Sequence, residues 1–420
     1  MRTQAIGVGF EGLEDRLMLA GNVLSALVAG DLVLDGDVDA NQVQLTVASN
    51  GQLTATGLSG TTIDGMHSVN FGIVNTLTFD GGAGDDKISL NSTASTIAND
   101  VIIDGGVGND TILVTGRFGT NLELDGGLGN DTISVTKVTV AVDLDLDSGD
   151  GIGKVTVSGS TVGQDLLIQS GLGNDSVTVS GMAVKRDLSL ADTGGNNSFR
   201  ITNSTSRGDI LVGGALNALG AGNDSVVMNG VTAGFRAGVT GMGSMAINLG
   251  NGNNVLSMSN SKSLGTVLGD GINVTSGIGN DVHSFVDVQS ASGFSLSDGG
   301  PGVNRVELTR VVLNGNGPLA ITTGSGADSV KLDQVIIGGI GTIDTTLGND
   351  ILQITNSRFT GLFDATTGDG NDAAYLGSNF YALTGSSVNG GLGTDSVTVG
   401  SNSPSVNVAI SFENTRNKAL

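Results

Sequence analysis

Apolar and polar residues alternate in short bursts along most of this chain, and each burst ends in a glycine-rich turn. Ile88/Leu90, Ile112/Val114, Ile133/Val135, Val155/Val157, Val177/Val179 and Val226/Met228 are apolar pairs one residue apart, mostly with Ser or Thr between them. A period of two belongs to a strand with one buried face. The alternation returns in Leu122/Leu124, Leu144/Leu146, Leu166/Ile168, Leu188/Leu190 and Ile247/Leu249, so two inward-facing limbs recur between turns. The pattern predicts many short strands and no long helix.

The turns carry the repeat. Strings such as GGAGDD, GGVGND, GGLGND, LGND and GGLGTD place an aspartate at Asp86, Asp110, Asp131, Asp175, Asp224, Asp281, Asp328, Asp350, Asp372 and Asp395. Degenerate copies put Gly153, Asn197, Asn254 and Asn304 in the same slot, so corners recur about every 24 residues. A second corner keeps the beat in Asn121, Asp143, Asp165, Asp187 and Asp209, each 22 residues from the last. Longer steps between 197 and 281 mark insertions.

Fixing about 22 residues costs roughly 1 to 2 kcal/mol each, and five inward apolar side chains return only about 1.5 to 3 kcal/mol apiece. One unit cannot fold alone, so the units must stack. The expected fold is all-β: a right-handed parallel β-helix of about 14 coils with roughly 22–24 residues per coil, right-handed because parallel crossovers nearly always are.

The helix is expected over 76–400. Residues 28–75 read as a β cap, with a hairpin turned at Asn50-Gly51. Residues 401–420 read as a final strand through Val406, Val408, Ile410 and Phe412 and a polar tail. Residues 1–27 hold Phe10, Leu13 and Leu17 at helical spacing and predict a short amphipathic helix.

Composition narrows the function. The net charge of −23 argues against a nucleic-acid partner, because phosphate binding needs clustered Lys and Arg. Of the 41 acids only Glu11, Glu14, Glu123, Glu307 and Glu413 are glutamates. That skew marks turns or metal, since Asp reaches its own backbone and Glu does not. With no cysteine there is neither disulfide nor thiolate metal site. No apolar run approaches the roughly 18 residues of a membrane span.

GGAGDDKIS (81–89), GGVGNDTIL (105–113), GGLGNDTIS (126–134) and GGLGTDSVT (390–398) match the nonapeptide GGxGxDxUx. They resemble the calcium-binding repeats of RTX toxins and related secreted proteins. Here one such turn occurs per coil rather than back to back, which favours a β-helix with a single Gly-Asp edge. FEGLEDRLMLA (10–20) is similar to the LEPR-XLL motif of large secreted bacterial surface proteins, with Asp15 where that motif has Pro. This resemblance implies export, hence an extracellular or cell-surface location.

The resemblance implies Ca2+ as the cofactor. Calcium takes six to eight oxygens, so neighbouring corners must share it. Asp86, Asp110 and Asp131 are consecutive, as are Asp328, Asp350, Asp372 and Asp395, and these seven are the expected metal ligands. The bland alternative is that Gly supplies positive φ and Asp or Asn caps the turn without metal.

His67 and His283 are the only histidines; His283 falls on an inward slot and reads as a core residue. Arg207-Gly208-Asp209 looks like an adhesive tripeptide, but Asp209 already belongs to the second corner. The expected function is a secreted or cell-surface structural or adhesive protein. Its partners would be cell-envelope or matrix components, polysaccharide among them. The rival is a polysaccharide lyase or hydrolase, disfavoured by sparse acid–base candidates and the absence of Trp.

Overall fold

The computed structural model describes residues 21–213, 219–234, 243–265, 271–400 and 409–417. Within them the chain is all-β, a parallel solenoid of about 14 turns. The expected N-terminal helix and the export motif lie outside the described residues, as do the centres of the insertions.

Each coil has three faces. In one, Lys154–Ser158 follows the Gly-Asp corner, Thr161–Val162 forms a two-residue strand, and Leu166–Leu172 runs back towards the next corner. Each pairs in parallel with its counterpart one coil on: Val155 opposite Val177, Val162 opposite Val184, Leu166 opposite Leu188. In an earlier coil the first two faces merge into one strand, Thr132–Val140.

Alternation fills the interior. Val155, Val157, Val162, Leu166 and Ile168 are each no more than 1% exposed, and like residues stack above and below them. The short face was not legible as a limb, because two residues are too few to show a period. Its corner is built by serines: Ser160 Oγ donates to Ser158 O (2.8 Å) and accepts from Val138 N (3.0 Å) of the preceding coil. Ser204, Ser261 and Ser357 repeat the arrangement.

At the N-terminal end Gln42–Val47 and Gln52–Gly57 form the expected antiparallel hairpin, closed by Gly51 at φ +83° and by Asn50 Oδ1 accepting from Gln52 N. A true rung begins inside this region. Asp31–Asp35 pairs in parallel with Thr76–Asp80, and Gln42–Val47 with the strand that starts at Lys87. At the far end Asn414–Asn417, read from its polarity as tail, is a strand paired with Ser396–Val399. Main-chain pairing to the rung below needs no alternating pattern of its own. Of the expected last strand, Val406 and Val408 lie outside the described residues.

Candidate cation-binding corners

The ten corner aspartates form one column, and each is at most 2% exposed. Oδ1 of every one accepts a backbone N–H from the same slot one coil earlier. Asp86 N donates to Asp110 (2.7 Å), Asp110 N to Asp131 (2.7 Å), Asp328 N to Asp350 (2.8 Å), Asp350 N to Asp372 (2.8 Å) and Asp372 N to Asp395 (2.9 Å). Asn197, Asn254 and Asn304 interrupt the column, as their sequence positions require, and accept the same bond through their amide oxygens. Asn41 stands in this slot ahead of Asp86 and donates to it (2.5 Å); with no GGxGxD around it, it was invisible as a corner.

The second carboxylate oxygen is the unusual one. Oδ2 of Asp86, Asp110, Asp131, Asp328, Asp350, Asp372 and Asp395 is buried with no hydrogen-bond partner, and so is Oδ2 of Asp175, Asp224 and Asp281. Asn254 shows what this position faces, because its Nδ2 donates to the carbonyls of Gly250 (3.3 Å) and Gly252 (3.2 Å). An amide satisfies those carbonyls; an ionised carboxylate opposes lone pair to lone pair. A proton or a cation between them removes that opposition.

Burial accordingly pushes Asp86, Asp110, Asp131, Asp328, Asp350 and Asp372 upward, against the opposing pull of the backbone N–H bond. Asp86 rises to about 7, with the charge of Asp110 adding to the effect. Asp110, Asp131 and Asp350 rise to about 6, and Asp328 and Asp372 also move up. Thr345 and Thr367 sit beside Asp350 and Asp372, but their hydroxyls donate to the carbonyls of Thr367 and Gly390 instead.

Two further columns flank the corner. One residue before most of these aspartates an exposed ladder runs in the opposite sense: Asn130 N donates to Asn109 Oδ1 (3.0 Å) and Asn371 N to Asn349 Oδ1 (2.8 Å). Both letters of the repeated Asn-Asp pair therefore cap main chain. Six residues before the buried column, Asp35, Asp80, Asp104, Asp125 and Asp147 lie side by side on five successive rungs. Asp80, Asp104, Asp125 and Asp147 each cap the N–H two residues on.

Glu123 and Asp145 pair next to them and line, with Asp125 and Asp147, a groove of about 210 Å³. Burial raises Asp104, Asp125 and Asp145, and like charges raise them further. The repeated Asp-Gly-Gly was the available signal for this column. It was absorbed into the turn motif.

The donor set around the N-terminal corners is oxygen throughout: an unpartnered Oδ2, the glycine carbonyls it faces and the outer carboxylates. That chemistry fits a hard divalent cation such as calcium, whose ligands would be Asp86, Asp110 and Asp131 with Asp80, Asp104 and Asp125 in support. The C-terminal block Asp328, Asp350, Asp372 and Asp395 has the same buried column, with Asp344 as an outer carboxylate.

The second corner is structural. Asp143, Asp165 and Asp187 each accept the backbone N–H of the next rung's Asp165, Asp187 and Asp209. Asp209 Oδ1 takes the N–H groups of Gly243 and Ser244 and the Ser244 hydroxyl, so the tripeptide's carboxylate is engaged in the fold. No helix among the described residues is long and apolar enough to cross a membrane. Compared with known proteins, the chain matches no family model and no curated sequence.

Proposed function

We propose that this protein is an exported, non-catalytic rod that works at the cell surface or in the extracellular matrix as a stiff spacer with an adhesive face, its Gly-Asp corners set by calcium. The observation that carries the reading is the column of buried Oδ2 atoms without partners. Stacked carboxylates left ionised at about 4.8 Å spacing repel one another, and a shared divalent cation turns that repulsion into cohesion. The four full GGxGxDxUx matches and the export-like N-terminal motif support the same reading. Envelope or matrix polysaccharide and protein are its natural partners, met through the flat outer faces.

Calcium would gather at the blocks Asp86–Asp131 and Asp328–Asp395, where carboxylates are vertical neighbours. Extracellular modules hold calcium with Kd on the order of 0.1 to 1 mM, so the sites fill outside a cell and empty inside it. Titration calorimetry and thermal melting of the full chain test this. Calcium is expected to bind in that range and raise the melting temperature, and combined Asp86→Asn, Asp110→Asn and Asp131→Asn is expected to remove a large share of the heat. Absence of binding up to about 10 mM, or binding that the triple substitution leaves intact, overturns the proposal.

A further inference from the structure

One polar cluster lies inside the apolar stack itself. Asp281, His283 and Asp298 are each 0% exposed, and one ligand atom from each lies within 4.8 Å of the others. His283 occupies an inward position that is Leu256 on the coil before and Val306 on the coil after. Asp298 lies above Ser276 in the next rung. The Ser276 hydroxyl is 3.2 Å from His283 Nε2 and sits beside the Asp281 carboxyl. Phe285 and Phe294 pack edge to face in the same rungs, and both are buried.

Most of this cluster's acceptors are unused. Asp281 Oδ2, both oxygens of Asp298 and His283 Nδ1 are buried without a hydrogen-bond partner. Two carboxylates in a dry interior are costly unless opposite charge lies between them. An imidazolium brings one positive charge against two negative ones, and its Nδ1–H would find no acceptor.

Geometry separates the cases. His283 Nε2 stands 3.6 Å from Asp298 Oδ2, longer than a hydrogen bond. Two ligands at about 2.1 Å from a common tetrahedral ion stand roughly 3.4 Å apart. We propose that Asp281, His283 and Asp298, with the Ser276 hydroxyl as a fourth donor, form a buried site for a divalent transition-metal ion of the zinc type.

Imidazole with carboxylate suits zinc and its neighbours rather than calcium, which prefers oxygen alone. The ion's two charges balance the two aspartates, and its bonds tie the rung of Ser276 to that of Asp298. The site is independent of the calcium reading, since Asp281 has Asn254 and Asn304 as its column neighbours.

The test is metal content of the full chain produced in medium supplemented with Zn2+, or with Co2+ as a coloured substitute, then washed with EDTA. Wild type is expected to retain about one equivalent per chain, with cobalt showing ligand-field absorption. His283→Leu, which matches its Leu256 neighbour, and Asp298→Ser, which matches Ser276 on the rung before, are each expected to retain none. Asp86→Asn is expected to retain the full equivalent. A wild-type chain without metal, or His283→Leu and Asp298→Ser chains that hold as much as wild type, overturns the site.

Discussion

Freed of divalent cations, the rod is expected to melt several degrees higher at pH 5 than at pH 8. The sign follows from the corner column. Asp86 is held up at about 7, and Asp110, Asp131, Asp224 and Asp350 at about 6, whereas an unfolded aspartate titrates near 3.9. Between those values the folded chain binds protons that the unfolded chain does not, so stability falls as pH rises through the window. It is fully present below about 4 and lost above about 7 for these groups.

Asp350 alone, raised about two units, is worth at most about 3 kcal/mol, and the coupled column adds less than the sum of its members. Relief of the −23 net charge acts in the same direction, so a local probe is needed. Asp350→Asn supplies it, because Asn254 shows that an amide fits the slot and satisfies its carbonyls. The variant is expected to melt higher than wild type at pH 8 without calcium, to match it at pH 5, and to gain less from calcium. A melting temperature that is flat or falls on acidification from pH 8 to pH 5 would contradict the buried, unpartnered column.

Much of this object was legible because the repeat is physical rather than decorative. A 22-residue beat with inward Val, Leu and Ile permits little besides stacked rungs, and the ten aspartates share a column because they share a slot. What escaped reading was set by contacts between coils. Asn109 and Asn130 look like ordinary turn residues until the preceding rung lies beneath them. Asn41 makes the same bond as the corner aspartates without their glycines.

Asp298 is the clearest case. Like Asp80 and Asp104 it precedes a glycine pair, and by analogy it should face outward. Five residues separate Asp298 from Asn304, however, where only four separate Ser276, in the same inward slot, from Asp281. The extra residue slips the register by one, and with a side-chain period of two that slip turns the carboxylate from solvent into the core. Strand alternation in Phe294, Leu296 and Asp298 was present in the sequence, but nothing there fixed which rung it would join.

The same insertion provides the sharpest test of stacking, because Gly299 and Gly302 lie in one turn and differ only in what surrounds them. A Cβ on Gly302 would stand 1.6 Å from the carbonyl oxygen of Gly279 on the rung below, and a Cβ on Gly326 above would meet Gly302 O just as closely. Neither neighbour is a movable side chain, and rungs about 4.8 Å apart leave no slack for a methyl group between backbones. A Cβ on Gly299 meets nothing within 4 Å. Since neither residue lies in the left-handed φ region, backbone strain drops out of the comparison. Gly302→Ala is therefore expected to cost more than about 4 kcal/mol and Gly299→Ala less than about 0.5. Because a solenoid is held together only by contacts between neighbouring rungs, the damage at Gly302 should also divide its cooperativity. Calorimetry should then resolve two melting steps in Gly302→Ala where Gly299→Ala and the parent show one. Equal shifts in the two variants would mean that the rungs are not in van der Waals register at this corner, and the aspartate column, which depends on that register, would fall with it.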